Sequence, residues 1–322
     1  MGVIPPINQL TIKDVKTMIN LLKKFKNVLN INATVWHSDN NAIYLRSESV
    51  QIKLAGFEIE ETFKLLSNNK SYDFNSLIKG SLKETKFIND VFINCSNEQL
   101  ICENINLPQI KIGTDPNNRA SIVNNAYIFD GCLWTTNSHY LLKTDLHIDK
   151  NSKTAIPAQI YNLFKQICWI GKENDIIQIS GKIDSKHWVV IQYKELECLD
   201  KNISMLRNIS KPLDLCDDGI IYDLTEITDL KLSNNRMQEL IRYCDGLISV
   251  YDNTFKYNVK EFKHELFNGA LKKFTVDAYY LKLFKKIFKK ASIKTLSTLS
   301  GRTTSITMHD NDNSVLLMCI SE

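Results

Sequence analysis

The segment TTNSHYLLKTDL, residues 135–146, holds the residue types best suited to chemistry. It places His139 between a polar turn and an apolar run, shortly before Asp145. A histidine in such a position serves as a general base, as a metal ligand, or only as a structural residue that shapes the protein surface. A nuclease acting through His139 and Asp145 would need further converging acid, base or metal groups. The sequence offers no such groups near them.

The remaining histidines and cysteines also form no recognisable site. No two of the 8 cysteines lie at metal-ligand spacing, and the 6 histidines form no HxH or HExxH group. Phosphate-binding and nucleophile motifs, such as the P-loop, GxGxxG and GxSxG, are absent from the sequence. Most cysteines fall inside apolar runs, which favours free thiols in a reducing cytoplasm over disulfides. The sequence therefore predicts no cofactor, no metal and no enzymatic activity.

The composition is that of a folded, soluble protein. The 322 residues fit two or three domains, with 43% hydrophobic and 24% charged residues. No apolar run is long enough to span a bilayer, and the N-terminus has no export signal, so we expect a cytoplasmic protein without a membrane partner. The net charge of +4 alone does not point to nucleic acid.

Short amphipathic helical patterns alternate with β-rich runs along the chain. Strand patterns include NATVWHS, AIYLRSE, VQIKLAGFEI, FINDVFINCS, AYIFDG, CLWTTNS, DIIQISGKI, HWVVIQYK and SVLLMCIS. The helical patterns cover residues 11–29, a segment beginning near Asp73 as N-cap, and residues 157–170, 233–244 and 277–291.

Polar breaks at residues 113–119 and 202–213 divide this recurring pattern. A repeated unit that cannot bury its apolar face alone implies stacked, pseudo-symmetric packing. The pattern predicts an α+β protein of three similar domains, each with helices packed on antiparallel sheets. The predicted domains are residues 1–112, 113–212 and 213–322, and the middle one lacks its first helix.

The distribution of lysines is more informative than their number. On the predicted helix 277–291, lysines occupy the face opposite the apolar one, without an acidic residue between them. Like charges one turn apart repel, so this face favours a polyanionic partner over simple solvation of the helix, which is the alternative. Duplex DNA is favoured over single strands, because exposed aromatics for base stacking are not evident. The predicted DNA-binding residues are Lys13, Lys16, Lys23, Lys24, Lys79, Lys83, Lys165, Arg236, Arg242, Lys282, Lys285, Lys286, Lys289 and Lys290.

Four stretches of the sequence resemble the bacterial-type DNA polymerase sliding clamp (β clamp) family. CLWTTNSHYLLKTDL resembles the middle-domain strand and turn that contain TDGHRLA in the family. Its matching residues are Thr136, His139 and Leu141, whereas Asn137, Ser138 and Tyr140 depart from the Asp, Gly and Arg of the motif.

The other three stretches follow in the family's order. AIPAQIYNLFKQI resembles the helix VPRKxLxELxxxL, beginning at Ile156 and Pro157. CLDKNISMLRNISKP resembles the connection DGRFPDYRRVIP, with Asp200 and Arg207 matching. FTVDAYYLKLFKKI and the terminal VLLMCIS resemble FNxxYLxDxLKxI and VxMPMR, where Tyr280 and Leu281 match and Cys319 replaces the usual proline.

The resemblance implies a clamp fold and a function without catalysis. Subunits of that family close head-to-tail as a dimeric ring around duplex DNA and tether the polymerase. The resemblance identifies the chain as a divergent, phage-like member in a bacterial or phage-infected cytoplasm, with a clamp loader as a further partner. The alternative is a clamp-fold accessory or scaffold protein that binds replication or transcription proteins without encircling DNA.

In the family, partner peptides dock in a pocket between the middle and last domains. The alternative for Leu141, Leu316 and Met318 is an ordinary core role, which strand alternation alone would explain. By position, the resemblance assigns the pocket to Thr136, Ser138, His139, Tyr140, Leu141, Leu316, Met318 and Ile320.

Overall fold

A computed structural model gives the fold of the chain. It describes residues 12–29, 32–37, 42–54, 57–67, 69–86, 99–103, 105, 111, 114–115, 120–215, 220–223, 238–244, 247–252, 258–263, 273–288, 290–297 and 303–320. The chain divides into two compact units, each built from separate segments. The first unit comprises Met1–Leu107 and Ile156–Glu197, and the second comprises Pro108–Ala155 and Cys198–Glu322.

The first unit begins with the amphipathic helix α1, Ile12–Lys23. Met18, Leu21 and Leu22 are buried on one face, as the predicted apolar spacing requires. The helix is shorter than the predicted span 11–29, because its last part continues as turns up to residue 29. The other elements of this segment are β1 (Thr34–His37), β2 (Ile43–Arg46), β3 (Val50–Leu54), α2 (Phe57–Phe63), β4 (Ser71–Asp73), α3 (Phe74–Ile78) and β5 (Gln99–Glu103).

Two local predictions in this segment have different outcomes. Asp73 caps α3 as predicted, since its carboxylate accepts a hydrogen bond from the backbone N of Ser76 at 2.7 Å. The predicted strand VQIKLAGFEI is wrong beyond Leu54, because its last residues lie in α2. The predicted strand FINDVFINCS lies outside the described residues.

The middle of the chain is richer in strands than predicted. Residues 157–170 do not form one helix, because the segment from Gln166 onward is a strand that pairs with a neighbouring strand on each side. Its residues Ile167, Trp169 and Ile170 are of types that favour strands. The elements are α4 (Ser121–Asn124), β6 (Asn125–Phe129), β7 (Cys132–Thr136), β8 (Tyr140–Asp145), β9 (Thr154–Pro157), α5 (Ala158–Tyr161), β10 (Gln166–Glu173), β11 (Ile176–Lys182) and β12 (Trp188–Lys194).

The last part of the chain corrects three predictions. The predicted break 202–213 is a helix followed by a 3-10 turn. The predicted helix 233–244 is a strand from residue 239, because the segment pairs on both sides. The predicted helix 277–291 ends at Phe284. The elements are α6 (Leu199–Ser210), a 3-10 helix (Lys211–Leu215), β13 (Ile220–Asp223), β14 (Glu239–Cys244), β15 (Leu247–Asp252), β16 (Asn258–Lys263), β17 (Phe274–Asp277), α7 (Ala278–Phe284), β18 (Lys290–Ser297), β19 (Thr303–His309) and β20 (Asn313–Met318).

Three antiparallel sheets organise these strands and confirm the predicted α+β class. The first has the order β4-β1-β2-β3-β12-β11-β10-β5, the second β13-β18-β19-β20-β8-β7-β6-β9, and the third β16-β15-β14-β17. A short strand leads directly into a helix three times, as β4-α3, β9-α5 and β17-α7. The division into three predicted domains and the absence of a middle-domain helix stay predictions.

The two eight-stranded sheets are each joined at the centre in the same way. β3 pairs with β12 from Val50↔Tyr193 to Leu54↔Val189, and β8 pairs with β20 from Tyr140↔Leu317 to Thr144↔Asn313. Each junction therefore contains five residue pairs in the same relative register. None of the described helices is long and apolar enough to cross a membrane.

Candidate functional site

The turn between β7 and β8 is fixed by polar side chains of the segment TTNSHY. The Thr136 hydroxyl donates a hydrogen bond to the Tyr140 carbonyl at 2.7 Å. The Asn137 side-chain oxygen accepts bonds from the backbone N of His139 at 3.1 Å and of Tyr140 at 3.2 Å. These polar residues satisfy the backbone of a tight turn, which explains why they follow an apolar strand.

Ser138 occupies a backbone conformation that favours glycine. Its φ is +73°, in the left-handed region, which costs a residue with a side chain roughly 1–3 kcal/mol. The resembling motif has glycine at this position. The hydroxyl of Ser138 donates a hydrogen bond to the Asn137 carbonyl. Ser138 therefore holds a conformation here that a glycine would adopt without strain.

Two distant segments meet at this turn. Leu316 of β20 pairs with Leu141, and Leu317 pairs with Tyr140. The backbone N of Met318 donates a hydrogen bond to the His139 carbonyl at 2.9 Å. The pocket residues predicted from residues 136–141 and 316–320 therefore lie on neighbouring strands of the second unit.

Strand alternation divides these residues between two faces of the sheet. Tyr140 belongs to the core cluster and contacts Tyr280 and Phe284 edge-on, with ring centroids 5.2 and 4.8 Å apart. Leu141 and Leu316 are outside this cluster and point to the opposite face, although both are buried. Tyr140 therefore serves as a core residue, whereas the paired leucines lie on the face where a pocket would form.

The rim of the candidate pocket is partly open. The Met318 side chain is 50% exposed, whereas Leu316 is 5% exposed. Ser138 and His139 are exposed, and Thr136 is buried. A half-exposed methionine beside buried leucines is typical of an adaptable apolar docking surface.

Two further residues near this rim complete its description. Ile320 is partly exposed, and its backbone N donates to the Thr275 carbonyl at 2.7 Å. Cys319 stands where the family has proline, and burial raises the pKa of its thiol to about 12. Cys319 is therefore a packed, protonated side chain against the core cluster at neutral pH.

His139 has a structural role at the turn. Its ring stacks on that of Tyr280 in α7, with centroids 5.8 Å apart and planes inclined by 24°. In the described part of the chain, no group of three or more His, Cys, Asp or Glu residues could hold a metal ion. The geometry favours a structural role for His139, in which its ring shapes the surface of the turn.

Sequence reasoning missed a neighbouring element of this site. The 3-10 helix Lys211–Leu215 lies beside β20, and its Leu213 is buried. The segment had been predicted to be a polar break. The proline of SKPLDL could have indicated this element, because its fixed φ is compatible with a short helical turn.

The predicted DNA-binding residues of α1 lie on its outer face. Lys16, Lys23 and Lys24 are exposed, opposite the buried face of the helix. The backbone of Lys13 lies in α1, and its side chain is outside the description. The charge of Lys24 is offset, because its Nζ lies 2.5 Å from a carboxylate oxygen of Asp184.

Asp184 forms hydrogen bonds with several neighbouring side chains and backbone N–H groups. Burial raises its pKa, but hydrogen bonds from Lys24 and His187 outweigh that effect and hold the pKa well below its ordinary value. His187 Nδ1 lies 2.8 Å from both carboxylate oxygens. Lys24 therefore has a structural partner, and Lys16 and Lys23 are the better candidates for phosphate contacts.

The lysines predicted on the last helix do not form one helical face. Lys282 in α7 and Lys285 directly after it are partly buried, and Lys286 is exposed. Lys290 opens β18, and Lys289 lies outside the described residues. The five-lysine helical face is therefore wrong, because the chain turns after Phe284 to enter a strand.

The remaining predicted cations are scattered. Lys79, Lys83 and Lys165 are exposed at the ends of elements in the first unit. Arg242 is partly buried in β14 rather than on a helix, and Arg236 lies outside the described residues.

Solved structures share this arrangement across almost the whole chain. The Helicobacter pylori beta clamp bound to a DNA ligase peptide matches with a TM-score of 0.63 at 10% identity, over 95% of this chain and 98% of that chain. This chain has the sliding-clamp fold. The DNA polymerase III beta subunits of Pseudomonas aeruginosa (TM-score 0.59, 12% identity) and Thermotoga maritima (0.55, 7%) match over 96% of this chain and 98% of theirs.

The likeness is one of structure rather than sequence. No protein-family model matches the sequence, and no curated protein matches it either. The predicted clamp fold is nevertheless confirmed, because the matches span the chain from end to end and all are sliding clamps of the same kind.

Proposed function

We propose that this chain is a DNA sliding clamp, a processivity factor without catalytic activity. The observation that carries the proposal is a clamp fold over 95–96% of the chain, with the expected docking turn and closing strand in contact. Copies of the chain enclose duplex DNA, and the enclosed duplex holds the protein by topology. Exposed lysines contact phosphates without reading bases, which keeps the energy nearly flat along the duplex.

The second part of the proposal concerns the partner. The Helicobacter clamp is solved with a DNA ligase peptide, which is a property of that protein. For this chain, we propose that Leu141, Leu316 and Met318 receive the apolar side chains of a polymerase peptide. The half-exposed Met318 accommodates differing side chains, and the buried leucines supply the apolar floor.

Retention on DNA of two shapes tests the proposal directly. The protein, supplied with the loader of its own replication system, is passed over a sizing column with nicked circular DNA or with the same DNA linearised. A topological clamp co-elutes with the circle and is lost from the linear form. Equal retention on both would instead favour the clamp-fold scaffold.

A matched pair of variants tests the lysines of α1. Lys16→Glu with Lys23→Glu is expected to lower the amount of protein loaded on the circle and to reduce the salt dependence of binding by about two ionic contacts. The control is Lys86→Glu with Lys194→Glu, which changes the same charge at exposed positions of the same unit. Similar losses of retention in both variants would show that the net charge of the protein, rather than the position of the lysines, determines its retention on DNA.

A further inference from the structure

Three of the 4 tryptophans of the chain lie on one face of the first sheet. Trp36 pairs with Tyr44, Tyr44 pairs with Lys53, and the row continues through β12 and β11 to Trp169 in β10. Trp188 lies on the same face, because it is two residues from the member of that row in β12. This aromatic face consists of Trp36, Tyr44, Arg46, Lys53, Trp169, Lys182 and Trp188.

The other face of the same strands is the core. The adjacent row of that face is aliphatic and 0% exposed, and consists of Val35, Leu45, Ile52, Ile191, Ile179 and Ile170. The aromatic face is more open. Trp188 is 48% exposed, Lys53 is exposed, and Trp36, Tyr44 and Trp169 are partly exposed. Large aromatic side chains gathered on an open surface are typical of an interaction site.

Lysines lie over two rings of the aromatic face. Lys182 Nζ is 5.3 Å from the ring centroid of Trp188, and Lys53 Nζ is 5.9 Å from that of Tyr44. A cation at this distance is attracted by the electron-rich face of the ring. The positive charges are therefore interleaved with the rings and held close to them.

Trp36 extends this pattern at the next strand. Its ring stacks on that of Tyr44, with centroids 5.2 Å apart and planes inclined by 29°. The guanidinium carbon of Arg46 lies 5.9 Å from the Trp36 centroid. Arg46 is buried, and its Nε donates a hydrogen bond to Gln51 at 2.7 Å. Two stacked rings therefore lie beside a positive charge that is fixed in position.

The second sheet repeats this row and uses it for packing. Tyr127 pairs with Trp134, and Trp134 pairs with Lys143, whose Nζ lies 5.4 Å from the Trp134 centroid. The two rings are only 0% and 5% exposed. Helix α6 packs at this row, where Asn202 donates a hydrogen bond to the Tyr127 hydroxyl at 2.8 Å. The same row is thus packed under a helix in the second unit and partly open in the first.

The charge of the aromatic face is positive. In the two rows that hold its rings, the described cations are Lys53 and Lys182, and the one described carboxylate is Glu103 on the outermost strand β5. Asp184, in the turn before β12, has its charge offset by Lys24. Interleaved rings and cations complement a chain of phosphates with accessible flat bases. Single-stranded DNA has both, whereas an acidic peptide would use the charges and leave the rings without partners.

We propose that the aromatic face binds single-stranded DNA. Bases stack on Trp188 and on the pair of Trp36 and Tyr44, and Lys53 and Lys182 contact the phosphates between them. Strand pairing brings these rings together from distant parts of the chain, so no single stretch of sequence indicated the site. The proposal goes beyond the clamp function and does not depend on it.

The size of the face suits a short single-stranded segment. Five strand-to-strand steps separate Trp36 in β1 from Trp169 in β10. At about 4.8 Å per step, the row spans roughly 24 Å. This length accommodates about four nucleotides, which is at the lower end of known single-strand sites. Stacking of this kind is tolerant of sequence, because every base has an aromatic face.

Binding of a fluorescein-labelled oligothymidylate of about 15 nucleotides tests the proposal. Fluorescence anisotropy measures the affinity of the protein for this strand and for a blunt duplex of the same length, without a clamp loader. Trp188→Ala is expected to weaken single-strand binding at least about 5-fold, because a stacked base is lost, and to leave duplex affinity unchanged. Trp188→Tyr keeps a stacking ring and should retain most of the affinity. The matched control is Met205→Ala, which truncates a 44% exposed side chain of α6 in the second unit.

The lysines have a matched pair of variants of their own. Lys53→Gln should weaken single-strand binding and lower the slope of log K against log salt by about 0.7, the value for one phosphate contact on a single strand. Lys143→Gln removes the lysine at the same place in the packed row of the second sheet. This control should change neither the affinity nor the slope.

Four results would overturn the proposal. They are no binding of the oligothymidylate by the wild type, no loss or an equal loss of duplex affinity in Trp188→Ala, a similar loss in Met205→Ala, and displacement of the oligothymidylate by polyglutamate at the same charge concentration. The last result would assign the face to an acidic protein. Retention of Trp188→Ala on nicked circular DNA is measured as well and should equal that of the wild type. Failure of the clamp function and failure of the single-strand site are therefore distinguished.

Discussion

The two closed junctions have the same backbone and different side chains on one face. Gln51 and Gln192 occupy the pair in the first unit that Leu141 and Leu316 occupy in the second. Gln51 Nε2 donates to Gln192 Oε1 at 2.8 Å. The other face is apolar in the first junction and, apart from the pair Thr144 and Asn313, in the second. The fold therefore does not require apolar residues at this pair. Leu141 and Leu316 are therefore free to serve the docking role proposed above.

The polar pair of the first junction belongs to a longer chain of hydrogen bonds. Arg46 Nε donates to Gln51 at 2.7 Å, and Gln192 Nε2 donates to Gln178 at 2.6 Å. Arg46, Gln51 and Gln192 are all buried, so each needs a polar partner. The same scaffold thus supports a closed polar network at one junction and an apolar surface with an exposed methionine at the other.

Exchanging the side-chain pairs of the two junctions should have the largest effect, which is on peptide binding. Leu141→Gln with Leu316→Gln gives the second junction the pair found in the first, so the fold is expected to survive. Binding of peptides selected on the wild-type protein from a displayed random library should fall at least about 100-fold, or about 2.8 kcal/mol, because the apolar floor is lost. Fluorescence anisotropy with labelled peptides measures the change.

The reciprocal exchange is the control. Gln51→Leu with Gln192→Leu alters the equivalent pair of the first unit and should leave peptide binding unchanged. Equal loss in both double variants would contradict a docking surface confined to the second junction. Equal binding to both would place the selected peptides elsewhere.

Breaking the polar network at one point should have the next largest effect. Gln51→Leu alone removes the hydrogen bond that Gln192 Oε1 accepts and the one that Arg46 Nε donates, both in a buried setting, which is expected to lower the free energy of unfolding by roughly 1–3 kcal/mol. Urea denaturation followed by circular dichroism measures this loss. An unchanged free energy of unfolding in Gln51→Leu would show that the network adds no stability.

The turns of the two junctions also differ in backbone conformation, so a glycine substitution should change the stability of the protein at one turn and not at the other. Ser138→Gly removes the strain of the left-handed backbone and should raise the free energy of unfolding by about 1 kcal/mol. Glu48 stands at the equivalent place in the turn between β2 and β3, and its φ is not positive. Glu48→Gly should therefore stabilise nothing. Stabilisation by both substitutions, measured by thermal melting, would contradict the difference.

The smallest expected effect concerns Asp184, in the turn that precedes β12 of the first junction. Its pKa is lowered in the folded state, so its ionised form stabilises the protein above the ordinary pKa of 3.8, and this stability is lost as pH falls below that value. Asp184→Asn should cost about 1 kcal/mol or less at neutral pH, because Lys24 is partly exposed. The difference from wild type in urea denaturation should shrink below pH 4. A constant difference would exclude the ion pair as its cause.

Sequence reasoning predicted strands better than helices here. Strands with β-branched and aromatic residues, such as NAYIF and WVVIQYK, lie where they were expected. The segments 157–170 and 277–291 have helical spacing of apolar residues, but each contains only a short helix and then a strand. Spacing alone cannot distinguish these, because pairing with strands far along the chain decides the outcome. The lysine face predicted on 277–291 was wrong for the same reason.

The sequence by itself determined the turn chemistry and predicted the fold. Asn137 and Thr136 are types that satisfy the backbone of a tight turn, and the order of the four resembling stretches predicted the clamp fold. The tertiary structure decided which face each residue occupies. Tyr140 enters the core while Leu141 faces away, because β8 is held between β7 and β20 in one register. It also revealed that two sheet junctions are closed between distant segments of the chain, since strand pairing is a property of the folded structure.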